Sequence, residues 1–254
     1  MEVTERNSLF DGDLICEQHI RGYRFSIDAV LLAHFTTIKK NNSILDLGTG
    51  SGIIALILLY RHKKIISECS GLELQKSLFD LAGKNMRNNC FEDKCNLYHG
   101  DVKDCKKLLA AGSYDTIVCN PPFYPERSGR INQDGEARIA RHQISANLND
   151  FLRAASYAVK NKGTLFFIYP ADLLSDFSHK AKANSLEIKK LRFIYSYPSS
   201  SKGAQLVLIH CSKNGGQGMH IAEPLYINTE KNGKYSSEIE SYYLNNSQYS
   251  SIVR

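Results

Sequence analysis

The sequence predicts an α/β fold in which a mostly parallel sheet carries helices on both faces. Three observations point to it. Short apolar runs suited to buried strands alternate with segments of helical periodicity. The first such pair is joined by a glycine-rich turn, Gly48-Thr49-Gly50-Ser51-Gly52. With 254 residues, 43% of them hydrophobic, the chain can bury one substantial core, and α/β domains of this size commonly form a single unit.

The elements follow in order. Asp13 to His19 reads as a strand paired with its neighbour across a short turn. Ser26 caps a helix carrying Ile27, Val30, Leu31, His34 and Phe35 on one face, with His34 expected as a satisfied core histidine. Ser43 to Leu47 is a strand, and Ile53 to Leu59 is apolar on every side, the mark of a buried helix. A second strand ends at Gly71-Leu72-Glu73-Leu74, and Gln75 to Asn89 forms a helix with Leu78, Leu81 and Met86 inward. Cys95 to His99 and Tyr114 to Cys119 are further strands, Asp150 to Val159 a helix, and Gly163 to Tyr169 a fully buried strand. Ile188 to Tyr195 and Ala204 to Cys211 make an antiparallel pair joined by the polar turn Tyr197 to Lys202. From Ser43 onward seven strands result, those of the expected sheet. Lys213 to Gly218 breaks the pattern, and a polar, Tyr-rich tail partly wrapped on the domain is expected beyond it. The expected organisation is an N-terminal extension over 1–40, the main domain over 41–213 and the tail over 214–254, all in one structural unit.

Strand, glycine turn and helix form the opening of a Rossmann-like βαβ unit. Glycines let the backbone approach a ligand, and free N–H groups at the helix start favour an anionic group. About 20 residues on, where an acidic side chain meets ribose hydroxyls in such units, stands Glu73. Asp101, after the third strand, has two readings: acceptor for an adenine amino group, or cap of the helix starting near Val102. Asp46, Gly48, Gly50, Gly52, Glu73, Asp101 and Asn120 are the candidate cofactor residues.

Asn120-Pro121-Pro122-Phe123 follows the strand ending at Cys119. Alone it marks a turn, because Asn and Pro favour turns and Pro cannot continue a central strand. Beside a nucleotide-binding turn it suits methylation of a flat amino group. Such a nitrogen is a poor nucleophile, since its lone pair is delocalised. The Asn120 side-chain oxygen and the Pro121 carbonyl can each accept one N–H, aiming the lone pair at a donor, while Phe123 stacks on the ring. A dehydrogenase reading leaves this tetrapeptide unexplained.

In their order and spacing, Gly48-x-Gly50-x-Gly52, Glu73, Asp101 and Asn120-Pro121-Pro122-Phe123 resemble the class I methyltransferases that act on amino groups. Gly22 to Ala33, Ala140-Arg141-His142 and Glu223-Pro224-Leu225-Tyr226 narrow the resemblance to the tRNA1(Val) adenine-N6 methyltransferase family over nearly the whole chain. That family is bacterial and depends on S-adenosyl-L-methionine, and it methylates the adenine just 3′ of the anticodon. The resemblance implies a seven-stranded sheet with an antiparallel last strand, and an N-terminal segment that helps wall the cofactor pocket. Tyr23, Arg24, Phe25 and Asp28 are candidates there, Phe25 for covering the cofactor, although they equally suit packing of the entering hairpin. Many adenine-N6 enzymes carry Tyr where this chain has Phe123; Phe keeps the stacking face and loses the hydroxyl.

Composition agrees. Seven cysteines, Cys16, Cys69, Cys90, Cys95, Cys105, Cys119 and Cys211, form no Cys-x-x-Cys pair, which argues for a reducing cytoplasm and against zinc. The longest apolar run, Ile53 to Tyr60, is short of the about 20 residues that span a bilayer, and no signal peptide opens the chain. The net charge of +6 suits a polyanionic partner. Arg127, Arg130, Arg138 and Arg141 lie in the long connection after the Asn-Pro-Pro-Phe segment, and Lys202 in the later turn, as candidate tRNA contacts. Glu126, Asp134 and Glu136 are interleaved there, so a solvated loop of mixed charge is the competing reading. Two other functions compete: glutamine-N5 methylation of a protein, as in release-factor methyltransferases, and a catalytically silent RNA-binding module. The first normally carries an N-terminal helical domain, for which the roughly 40 residues before the glycine strand are too few.

Overall fold

The structure is a computed structural model that describes residues 4–20, 26–122 and 146–245. Its first element is a hairpin of β1 (Thr4–Leu9) and β2 (Leu14–His19), a two-stranded sheet of its own. α1 (Ile27–Phe35) follows, with the Ser26 hydroxyl accepting the Asp28 N–H. Then come β3 (Asn42–Leu47), α2 (Ile53–His62), β4 (Ile66–Glu73), α3 (Lys76–Asn88), β5 (Cys95–His99), α4 (Cys105–Leu108) and β6 (Tyr114–Cys119). From residue 146 on, the chain runs through α5 (Leu148–Ala158), β7 (Val159–Pro170), α6 (Leu174–Ala183), β8 (Leu186–Tyr195) and β9 (Leu206–Lys213). It ends in β10 (His220–Ile221), β11 (Leu225–Tyr226) and α7 (Ser237–Ser241).

Seven of these strands form the expected sheet, in the order β5-β4-β3-β6-β7-β9-β8. All run parallel except β9, which is antiparallel to both β7 and β8. The chain winds from β3 to β4 and β5 on one side and returns to β6 on the other, so the strand order reverses at β3. Among the described residues two short strands extend this sheet to nine. β10 and β11, from the stretch expected as a tail, each pair in parallel with β8. β8 would otherwise be an open edge with unpaired backbone groups, and covering it removes that liability.

Two apolar clusters pack on the two faces. One joins the hairpin, α1, α2 and α7; the other joins α5 and α6 to the opposite side. Ile53 to Leu59 of α2 are all buried, as an all-round apolar helix requires. His34 meets this packing with its ring, and the Tyr242 backbone is near enough to steady it. It stacks on Tyr242 at 4.1 Å, and neither ring nitrogen has a partner of good geometry among the described residues. Burial holds its pKa down to about 3, so it stays neutral.

Candidate active site

Ligands of open α/β sheets bind beyond the carboxyl ends of the strands, where the strand order reverses. Here that place is the end of β3 and β6. Leu47, the last residue of β3, pairs with Cys119, the last residue of β6. Gly48 and Asn120 therefore leave the sheet side by side.

The glycine turn is built by backbone geometry that only glycine adopts without strain. Gly48, Gly50 and Gly52 have φ of 72°, 58° and 85°. At Gly48 a Cβ would also stand 3.1 Å from the Phe151 ring of α5. The Gly48 and Thr49 N–H groups both donate to the Leu72 carbonyl, at 2.9 and 3.1 Å, which moors the turn to β4.

Two buried carboxylates flank the turn. Asp46, fully buried on β3, accepts the Thr49 hydroxyl on Oδ2 at 2.7 Å. Its Oδ1 has no partner of good geometry among the described residues, although the Ala55 amide is near enough to steady the carboxylate. Burial pushes its pKa up to about 7, the nearby Glu73 charge adds to this, and the Thr49 hydroxyl and Ala55 amide oppose it. Glu73 ends β4. Its Oε2 accepts the Gly50 N–H at 2.9 Å and its Oε1 the Gln75 N–H at 2.8 Å. Burial raises its pKa while those two amides hold it down. The Leu74 amide adds to them.

Asp101 caps the short 3₁₀ turn Val102–Asp104, its Oδ1 accepting the Lys103 N–H at 2.9 Å. This is the capping arrangement of the two the sequence allowed, and it leaves the second oxygen outside the cap. Asn120 is half-buried, Pro121 buried and Pro122 exposed. Lys202 is exposed in the β8–β9 turn, at the same end of the sheet as Asn120. Phe25, Phe123, Arg127, Arg130, Arg138 and Arg141, together with Tyr23 and Arg24, lie outside the described residues. Sequence reasoning passed over two groups that shape the turn. Thr49 was legible in hindsight from the Asp-x-x-Thr spacing, whereas buried Asn85 of α3, whose amide reaches the Ser51 carbonyl at 2.9 Å, left no signal.

A sheet that winds outward from β3 in both directions and carries one antiparallel strand next to its far edge is the architecture of the class I methyltransferases. Solved structures share it. A predicted O-methyltransferase from Agrobacterium tumefaciens superposes with a TM-score of 0.67 at 17% identity, over 85% of this chain and 95% of that one. P. horikoshii TYW2 in complex with MeSAdo superposes with a TM-score of 0.57 at 15% identity, over 85% and 73%. In sequence, the tRNA1(Val) (adenine(37)-N6)-methyltransferase of Aliivibrio salmonicida is 30% identical, over 75% of this chain and 78% of the relative. That of Dyadobacter fermentans is 24% identical, over 85% and 89%. The chain belongs to the methyltransferase small domain family, which matches residues 27–175, and within it to the tRNA1(Val) (adenine(37)-N6)-methyltransferases. Among the described residues no helix is long and apolar enough to cross a membrane.

Proposed function

We infer that this chain transfers a methyl group from S-adenosyl-L-methionine to the exocyclic N6 of an adenine in tRNA, at position 37, the position in its relatives' name. The observation that carries this reading is the pairing of Leu47 with Cys119, which brings the glycine turn and Asn120-Pro121-Pro122 out of the sheet at one point.

The residues at that point fit such a donor. The turn has no Cβ at its three positive-φ positions, and Asp46 offers a buried carboxylate whose Oδ1 accepts no hydrogen bond of good geometry among the described residues, suited to a cationic group. Gly48, Gly50 and Gly52 would hold the donor with Asp46, Glu73 and Asp101, and Phe25 would wall its pocket. When bound, S-adenosyl-L-methionine supplies an electrophilic methyl group. Asn120 and the Pro121 carbonyl accept the amine hydrogens and orient the nitrogen, so no strong base is needed, and the surplus proton leaves to solvent afterwards. Phe123 stacks on the base. Because the adenine must leave its own stack to be reached, contacts to the surrounding RNA supply the binding energy. Arg127, Arg130, Arg138, Arg141 and Lys202 are assigned to its phosphates. A tRNA substrate places the enzyme in the bacterial cytoplasm.

Incubation with methyl-labelled S-adenosyl-L-methionine and either total RNA or release factor tests the reading. Label is expected in the RNA pool; label solely in polypeptide would favour glutamine methylation instead.

A further inference from the structure

Asn85 is a fully buried polar side chain that neither catalysis nor donor contact accounts for. It stands on α3 one turn before Asn89, and both amides face the outer edge of β2. Asn89 Oδ1 accepts the Ile15 N–H at 2.9 Å, and its Nδ2 donates to the Ile15 carbonyl at 2.7 Å. Asn85 Oδ1 accepts the Glu17 N–H at 2.7 Å, and its Nδ2 donates to the Glu17 carbonyl at 2.9 Å. Four residues of helix advance about 6 Å, and two residues of strand about 6.7 Å. Two amides four positions apart therefore meet alternate peptide groups of β2 and complete its edge as a neighbouring strand would.

The second Nδ2 hydrogen of Asn85 goes elsewhere, to the carbonyl of Ser51 between Gly50 and Gly52, at 2.9 Å. Both donors of the amide are thus committed. The Ser51 carbonyl shares a rigid peptide plane with the Gly52 N–H, so holding one orients the other. The same turn of α3 closes on the glycine from either side: a Cβ at Gly52 would stand 3.2 Å from Met86 Cε and 3.3 Å from Ala82 Cβ. Glu73 fixes the Thr49–Gly50 peptide from β4, and Asn85 fixes the Ser51–Gly52 peptide from α3.

We propose that Asn85 is a positioning residue for donor binding, which sets the shape of the glycine turn and couples it to the N-terminal hairpin. This rests on the methyl-donor reading above. Asn89 supplies the internal control, because it holds the hairpin without touching the turn.

The test is calorimetry with S-adenosylhomocysteine on the wild type, Asn85→Ala and Asn89→Ala, with donor KM and kcat for each. Asn85→Ala is expected to weaken binding about tenfold, the worth of one buried hydrogen bond, and to raise donor KM while kcat at saturation holds. Asn89→Ala is expected to lower the unfolding temperature and leave affinity unchanged. Equal destabilisation of both variants with wild-type affinity in each would overturn the proposal. No binding to the wild type would overturn the donor reading, and the proposal with it. If Asn85→Ala does not fold, hydrogen exchange on the wild type decides the matter, since coupling is reciprocal. Saturating S-adenosylhomocysteine is then expected to slow exchange of the Glu17 amide, held by Asn85, about tenfold more than that of the Ile15 amide, held by Asn89; equal slowing of the two would overturn the coupling.

Discussion

Glu73 Oε2 accepts the Gly50 N–H at 2.9 Å, so the carboxylate at the tip of one strand closes the glycine turn at the tip of the next. A residue expected to meet a ligand is thereby also a brace for the backbone that cradles it. Both duties draw on the same two oxygens, which already accept from Gly50 and Gln75.

Glu73→Ala is accordingly expected to cost about 1 to 3 kcal/mol of donor affinity, through a lost acceptor and an unmoored turn. Glu73→Gln should lose less, because its amide keeps one acceptor but presents a donor to the second N–H. Calorimetry with S-adenosylhomocysteine checks the ranking, and wild-type affinity in both variants would remove Glu73 from the site.

Asp46 gives a pH dependence whose sign follows from burial. Its carboxyl is raised to about 7, so the folded chain holds that proton more tightly than the unfolded one. The resulting stability is present below the ordinary carboxylate range and is lost as pH rises toward about 7. A cationic donor favours the ionised form, so affinity for S-adenosyl-L-methionine should rise over the same interval. Asp46→Asn should flatten both trends. Urea midpoints without ligand, and donor affinities, at about pH 5 and about pH 8 measure them.

Asn120 is expected to act in the chemical step. Asn120→Ala should fold and bind S-adenosylhomocysteine normally, yet slow single-turnover methylation by up to about 100-fold, the scale set by a misplaced reacting atom. A wild-type single-turnover rate would remove the role assigned to it.

How much of this was legible in the sequence depends on where each signal resides. Ile53 to Leu59 declared a buried helix by themselves, and the glycine spacing declared the turn, because both signals are local. β7 begins at Val159, ahead of the expected Gly163, since Lys160, Asn161 and Lys162 are exposed strand residues with no alternation to betray them. α6 buries only Phe177 and Ala181, too few apolar positions to show a period. β10 and β11 have two residues each and exist because β8 offers an open edge. Asn85 reads as ordinary helix surface until β2, some 68 residues earlier, folds onto it.

An ion pair joins the segment beyond β9 to β8. Arg192 meets Glu238 with two hydrogen bonds, at 2.6 and 2.7 Å, and Tyr242 donates to the same carboxylate at 2.6 Å. The Glu238 side chain is 43% exposed, so solvent screening keeps the loss in Glu238→Ala near about 1 kcal/mol. Arg192 holds the Glu238 carboxyl below its ordinary value, so this contribution should fade as pH falls through that lowered value. Thermal melts should show a lower midpoint with donor affinity unchanged; an equal loss of affinity would contradict a purely structural role.

The basic connection after Asn120 carries the remaining expectation. Counterion release predicts that tRNA affinity falls with salt by about 0.7 in the log-log slope per phosphate neutralised on a single strand. Substituting Arg138 and Arg141 together should flatten the slope while S-adenosylhomocysteine binding holds. An unchanged slope would return the loop to solvent.

Nucleoside mass spectrometry of tRNA incubated with the protein and S-adenosyl-L-methionine tests the central claim most directly. N6-methyladenosine should appear at position 37 with the wild-type protein and fall sharply with Asn120→Ala. An RNA pool without N6-methyladenosine, with the label recovered on glutamine in a polypeptide, would contradict it.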